Sequence, residues 1–330
     1  MKRISMGRIA GALLLAALIA PESALAGTFT ALTYNVAGLP QGTNPGQFPA
    51  VNTPLISPKL NAYDIVLVQE DFKYHTQLIA DVTHPYQSVK STHDRPGTAV
   101  PNGLGDGLNT LSRTPFTDFT RVMWTDCFGV FTNSSDCLAP KGFTFQRNEL
   151  APGVFLDVYN LHADVGSAAG DLNARRLELR QLYAFIGANS AGNAVLVMGD
   201  TNSRYTRNGD ILPELLSVAG LTDVWVALAR GGSVPVISAS NLNSGCAISQ
   251  ADGNCERLDK IFYRSSTTVV LTPTLYSVPT TFVDGAGAQL SDHYPVAAKF
   301  NYSFIPEPGA LLLVTSGLAG LAFRGRAIRR

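Results

Sequence analysis

Val154-Phe155-Leu156-Asp157-Val158-Tyr159-Asn160-Leu161-His162 is an apolar run that stops on a histidine. Ala194-Val195-Leu196-Val197-Met198-Gly199-Asp200 stops in the same way on an aspartate, and Ile65-Val66-Leu67-Val68-Gln69-Glu70 on a glutamate. Runs of this length, rich in Val, Ile and Leu, read as buried strands. The ends of such strands are where a sheet presents side chains to a ligand. An ionisable group placed repeatedly at that one position predicts a convergent site with acid, base and metal-binding groups, and so an enzyme.

Outward from these three runs, strand-like segments cover Thr28–Asn35, Ile65–Val68, Leu108–Ser112, Phe143–Arg147, Val154–Leu161, Ala194–Met198, Lys260–Arg264 and Val296–Asn301. A helix is predicted over Leu172–Asn189, capped by Asp171, because Leu172, Leu179, Leu182, Phe185 and Ile186 form one apolar stripe. Pro213 suits the first turn of a second helix over Glu214–Val218. Ala37–Leu55, rich in Gly, Pro and Asn, reads as a loop, as do residues 91–107. Strands and helices mixed without strict alternation predict an α/β sandwich rather than a Rossmann sheet. No internal repeat interrupts residues 28–302.

The two ends belong to a different physical class. Residues 1–26 combine Lys2, Arg3 and Arg8, an apolar stretch over 11–20, and a close on Ala24-Leu25-Ala26. That is the pattern of a secretory signal peptide cut after Ala26. In residues 305–330, Pro306-Glu307-Pro308 precedes fifteen apolar or small residues from Gly309 to Phe323, then Arg324, Arg326, Arg329 and Arg330. The stretch is short against the roughly twenty residues of a stable span, and the arginines favour a cytoplasmic end. This tail resembles a PEP-CTERM sorting signal. The resemblance implies an exosortase-type processing enzyme as partner, a transient or anchored membrane contact, and a cell-envelope or extracellular address.

Between the ends lie about 275 residues, enough for one large core. The chain is neutral overall, but residues 28–304 hold 18 basic against 23 acidic residues, a net of −5. No electrostatic footprint for bulk nucleic-acid binding is present, although a metal-dependent nuclease is not excluded. Nothing indicates an oligomer, so a monomer is the expectation. The four cysteines form two close pairs, Cys127/Cys137 and Cys246/Cys255. Export favours two local disulfides over a four-thiolate zinc site, whose short ligand spacing neither pair shows.

In chain order the strand-end groups are Asn35, Glu70, His162, Asp200 with Asn202, Asp259, and Asp292-His293. Hard cations such as Mg²⁺ sit on one or two carboxylates and keep several waters. Phosphoryl transfer needs that metal, donors for the remaining phosphate oxygens, and a base for water. Glu70 is the leading metal ligand, since a carboxylate ending a buried run needs a partner. His162 and His293 supply proton transfer near neutral pH, and Asp259 can orient one of them. His75, His84 and His93 lack such a context and read as surface or structural.

Leu32-Thr33-Tyr34-Asn35-Val36, Val68-Gln69-Glu70, Asn160-Leu161-His162, Met198-Gly199-Asp200-Thr201-Asn202, Leu258-Asp259-Lys260-Ile261-Phe262 and Ser291-Asp292-His293-Tyr294-Pro295 resemble, in order, the endonuclease/exonuclease/phosphatase (deoxyribonuclease I-like) superfamily. Gly107–Arg113 also looks like the family's central strand. The resemblance spans residues 27–304 and implies a four-layer α/β sandwich of two packed mixed sheets flanked by helices. It implies Mg²⁺ (or Mn²⁺ or Ca²⁺) on Glu70, Asn35 and Asp292, with Asp200 aligning water or a second metal. Asn202 would hold the phosphate, His293 with Asp259 would be general base, and His162 would contact phosphate or protonate the leaving oxygen. Asp106 stands roughly where an acidic residue partners the first histidine in some family nucleases. Arg204 and Arg207 are candidate phosphate clamps, because arginine binds phosphate bidentately.

The expectation is therefore an exported Mg²⁺-dependent phosphodiesterase. The acidic body and envelope address favour a phospholipid or sphingomyelin-like head group. An extracellular DNA endonuclease, an inositol-phosphate phosphatase and a non-catalytic surface or matrix module on this fold are the alternatives.

Overall fold

The computed structural model describes residues 25–96, 103–237 and 253–305. Within them the chain runs β1 (Ala26–Asn35), α1 (Pro49–Ile56), β2 (Ile65–Gln69), α2 (His75–Leu78), β3 (Tyr86–Gln87), β4 (Asn109–Ser112), β5 (Phe116–Met123), β6 (Gly142–Ala151) and β7 (Val154–His162). It continues through α3 (Ala169–Asn189), β8 (Val195–Asp200), α4 (Leu212–Ala219), β9 (Thr222–Asp223), α5 (Val224–Ala229), β10 (Asp259–Arg264), β11 (Val269–Ser277) and β12 (Val296–Phe304).

One sheet has the order β11-β12-β1-β2-β4-β3, the other β5-β6-β7-β8-β10-β9. Each has one parallel pair near its centre, β1 with β2 and β7 with β8, and antiparallel neighbours outside it. The sheets stack face to face. Phe29, Ala31, Ile65 and Leu67 of the first pack with Leu156, Val158, Leu196, Met198 and Ile261 of the second. The outer face of the first sheet (Leu32, Tyr34, Val66, Val68) is covered by Ile56 and Leu60. That of the second (Tyr159, Leu161, Val195, Val197) is covered by Leu179, Leu182, Ile186, Leu212 and Leu215. This is the expected four-layer sandwich. The central strands read as continuous apolar runs because alternate residues enter two different cores.

All eight predicted strands are present. β5, none of whose residues is fully buried, and β11, an edge strand bulged at Pro273, escaped the pattern because edge strands need no apolar run. The stretch read as a loop from Ala37 to Leu55 turns helical at Pro49: proline at the first position costs no hydrogen bond there. Asp171 does not stand before α3. It lies inside the first turn and accepts from Ala168 N at 2.8 Å. Residues 1–24 of the predicted leader, residues 306–330 of the predicted tail, and Cys246 lie outside the described residues. Among those described, no helix is long and apolar enough to cross a membrane.

Near the site the apolar inter-sheet layer gives way to a polar one. Gln69 Nε2 donates to Asn160 Oδ1 at 2.7 Å, and Asn160 Nδ2 donates to Val68 O at 2.9 Å. Thr33 and Gln69 are bonded as well, and all three side chains are fully buried. A buried amide pair has few geometries that satisfy it, so this layer locks the register between sheets directly beneath the catalytic groups.

Candidate active site

Strand register brings the predicted groups together. Parallel pairing sets Asn35 beside Gln69, and so next to Glu70, and sets His162 beside Asp200. Antiparallel pairing sets Asp259 opposite Asp200. Asp292-His293 precedes β12, whose first residues pair with Leu32 and Thr33 near the end of β1. Gly199 is the residue that lets β8 run so close to β7: a Cβ there would lie 2.1 Å from Leu161 O.

Asp200 Oδ2 is the hub. It accepts from Asn35 Nδ2 at 3.1 Å, lies 3.5 Å from His162 Nε2, and lies 3.7 Å from His293 Nε2. Asn35 Nδ2 also donates to Glu70 Oε1 at 3.0 Å, so one amide ties carboxylates from both sheets. Asn202 donates its backbone N–H to Asp200 Oδ1 at 2.9 Å and its Nδ2 to Ala163 O at 3.0 Å. Glu70 and Asn202 both hold positive φ, +57° and +47°. Such backbone strain in non-glycine residues concentrates at functional sites.

The two histidines are held in opposite states. Burial lowers the His162 pKa, the positive charges of Lys141 and His293 lower it further, and the ring ends well below its ordinary value. Burial alone would lower His293 too, but Asp259, Asp200 and Asp292 outweigh it and hold it well above. Asp259 Oδ2 lies 2.8 Å from His293 Nδ1, which fixes the proton there and turns Nε2 toward the cluster. Burial raises the pKa of Glu70 and Asp200, against the pull of Lys141, His293 and, for Glu70, Asn35.

Lys141 is the site residue that sequence reasoning missed. Its Nζ lies 3.2 Å from His162 Nε2 and is paired with buried Asp136. Burial would lower its pKa, but Asp136, Glu70 and Asp200 raise it, so the ammonium stays charged. An ammonium has only protons to offer. His162 Nε2 therefore accepts, and the ring's proton sits on Nδ1. A lysine just before an apolar strand reads as a solvated cap. The missing signal was antiparallel pairing: β6 starts where β7 ends, with Phe143 opposite Leu161.

Four candidates are placed otherwise than expected. Asp106 does not reach His162; both its oxygens accept from Arg121 Nη1, at 2.7 and 2.8 Å, and it also accepts from Leu108 N. Arg207 is occupied by Asp210 at 2.7 Å and by the Asn202 carbonyl, so it braces the turn that carries Asn202. Arg204 offers its backbone N–H to Asp210, and its Nε is buried without a partner, its charge destabilised by burial and by Arg207. Asp292 is exposed and accepts from Asn44 Nδ2 at 3.0 Å, outside the tight cluster.

That cluster is Asp200, Asp259 and His293, whose ligand atoms lie within 4.8 Å of one another. Asp259 Oδ1 is buried with no hydrogen-bond partner. Two carboxylates and an imidazole with an unsatisfied oxygen fit a divalent cation, with Glu70 and Asn35 alongside. His75 is bound to Asp71 at 2.5 Å and buried His84 lies 2.7 Å from Tyr63 O, both structural as expected. The Cys127–Cys137 disulfide is present, and Cys255 is disulfide-bonded.

The Endonuclease/Exonuclease/phosphatase family pattern matches residues 32–293. The chain belongs to that family, a class of phosphoric ester hydrolases, and it has the two-sheet fold of the solved structures it resembles. The chain is similar to the sphingomyelinases of Mycobacterium bovis and Mycobacterium tuberculosis, 38% identical over 288 residues and 86% of this chain. The chain spans 54% of the length of those relatives. Sphingomyelinase C from Streptomyces griseocarneus shares the fold at TM-score 0.54 and 20% identity, covering 83% of this chain and 99% of its own. Staphylococcus aureus beta toxin with bound magnesium ions does so at 0.56 and 18%, covering 82% and 99%. An endonuclease/exonuclease/phosphatase from Beutenbergia cavernae does so at 0.57 and 17%, covering 83% and 71%.

Proposed function

We propose that the chain is an exported, Mg²⁺-dependent phosphodiesterase that cleaves a sphingomyelin-type lipid, releasing its phosphorylated head group. The observation that carries this reading is the 38% likeness to sphingomyelinases over 86% of the chain, with an unbroken acid, amide and imidazole set at the strand ends. The acidic body supports a zwitterionic head group over a nucleic-acid polyanion. Export, by the leader and a sortable tail, is part of the proposal.

Glu70, Asp200 and the free Oδ1 of Asp259 would hold the cation, which supplies positive charge to a phosphate oxygen when bound and leaves His293 Nε2 free. The protein's own groups do the rest. His293, oriented by Asp259, takes the proton of the attacking water at Nε2. Its high proton affinity comes from the surrounding carboxylates and falls as positive charge offsets them. Asn202, expected to hold the phosphate, instead spends its donors on Ala163 O and on Asp200, and so fixes Asp200 from its strained turn. Lys141 helps keep His162 neutral as an acceptor, and its ammonium, close to Glu70 and Asp200, supplies fixed positive charge for developing negative charge.

The test is a substrate panel with Mg²⁺ and with EDTA: bis-p-nitrophenyl phosphate, sphingomyelin, phosphatidylcholine, DNA and inositol phosphates. Sphingomyelin should lead, with phosphocholine released and EDTA abolishing turnover. Preference for DNA would replace the lipid reading with the nuclease one. Inertness on every substrate would leave a binding module.

A further inference from the structure

Two uncharged, apolar segments are linked to the catalytic cluster by polar contacts. The first is the tip of the ring closed by Cys127 and Cys137, where Val130 and Phe131 are 52% and 66% exposed. The second is α1 and the residue before it, where Phe48, Val51 and Leu55 are 57%, 63% and 41% exposed. Positions three and four apart share a helix face, so these three form one wet apolar stripe. Each segment is tied to the catalytic groups. Asn44, four residues before Phe48, binds Asp292 beside His293. Asp136, beside Cys137, pairs with Lys141 against His162, and Cys137 N donates to Gly129 O at 3.0 Å, which folds the tip back onto that end of the ring. Polar contacts thus run from one segment to the other through His293, Asp200 and His162.

We propose that these two tips seat the catalytic face on a zwitterionic phospholipid surface, each dipping below the head groups while the polar centre between them meets a head group. Exposed apolar patches rimmed by polar residues mark protein or membrane contacts. Three features select the membrane. Residues 44–56 and 127–135 contain no Lys, Arg, Asp or Glu, in a body of net charge −5, so attraction to anionic lipid is absent. The apolar tips join the polar cluster through Asn44 at one and Asp136 at the other, which suits a layer that is polar outside and apolar beneath. A protein partner covering both tips would also cover the cluster. The proposal rests on the lipid reading for its purpose, but its geometry is independent of which phosphoester is cut.

The full chain carries two tryptophans, Trp124 and Trp225, both buried, so Phe131→Trp or Phe48→Trp adds one exposed reporter at each tip. With phosphatidylcholine vesicles each reporter should shift to shorter wavelength and be quenched by brominated phosphatidylcholine, unchanged in about 0.5 M NaCl, where surface charge effects are screened. A Val130→Ser, Phe131→Ser, Phe48→Ser, Val51→Ser variant should lose about 10- to 100-fold of its turnover on vesicular sphingomyelin, the scale set by withdrawing a few partly buried apolar side chains. Its turnover of soluble bis-p-nitrophenyl phosphate should stay at the wild-type level, which also certifies its fold. Reporters that do not respond to vesicles overturn the proposal. So do reporters that respond only to anionic lipid, or that shift with protein concentration alone and so reveal a second copy. A clear reporter response with no sphingomyelin hydrolysis keeps the docking surface and removes the substrate reading. Hydrolysis with silent reporters does the reverse.

Discussion

Replacing Lys141 with methionine removes the ammonium that donates to His162 and helps burial and His293 hold it neutral, while keeping an unbranched chain of similar length. A hydrogen bond to a charged group contributes about 1.5–3 kcal/mol, so if the ammonium acts at the transition state, turnover should fall about 10- to 150-fold. The same change strands buried Asp136, which accepts from Lys141 and from Val165 N. Breaking one side of a buried pair costs about 3–5 kcal/mol of stability, and this must be separated from catalysis. Lys141→Met with Asp136→Asn does so: stability should largely return, because the amide carries no charge, while activity should not. Lys141→Arg keeps the charge and should restore part of the rate. The assay is kcat on bis-p-nitrophenyl phosphate and on sphingomyelin across pH 5–9, with thermal unfolding on each variant. With Lys141 gone, the His162 pKa should rise, and the acid limb of the pH profile should move toward neutral. A double variant as active as wild type with an unmoved profile would refute the role, leaving Lys141 a structural cation.

The other expectations are compact. His162→Ala with His293→Ala together should abolish hydrolysis, and activity surviving both would sink the site assignment. Asp259→Asn alone should cost about 10²- to 10⁴-fold in kcat, the range of general acid–base catalysis, by releasing the His293 tautomer, with little effect on KM. Arg207→Ala should lower kcat by loosening the turn that carries Asn202, rather than raise KM as loss of a phosphate clamp would. Burial pushes the Asp164 carboxyl up to about 9 and the Glu178 carboxyl up to about 8, with Asp136 adding to both. Both are raised, so the folded chain holds protons that the unfolded chain releases above about pH 4. Their stabilisation is complete at low pH and is lost as pH rises through 8–9. The melting temperature should fall between pH 6 and 9, and Glu178→Gln, whose amide oxygen can still accept from Asp164 N, should flatten that fall.

Local chemistry made much of the site legible. Val154–His162, apart from Phe155, and Val195–Asp200 are buried on both faces, so their apolar runs announce strands, and the polar residue that stops each run stands at the site. The same logic hid β5 and β11, which lie where one face is wet, and α1, whose prolines resemble loop composition. Glu70, His162, Asp200, Asn202, Asp259 and His293 were named from the sequence because each carries its own strand end or turn.

Partnership was a different matter, because it depends on pairs far apart in the chain. Asp106 and Arg207 stand near the right motifs, yet each already has a closer counter-charge, Arg121 and Asp210, that no local pattern reveals. Asp292 sits beside His293 in sequence but turns outward to Asn44. Lys141 became a site residue only through antiparallel pairing, which sets the start of β6 against the end of β7 and puts its ammonium on His162. The sequence by itself determined the class of fold and the inventory of reactive groups, since strand periodicity and side-chain chemistry are local properties. The tertiary structure alone decided which groups are charged and which atoms donate, because burial and counter-charge are set by neighbours in space.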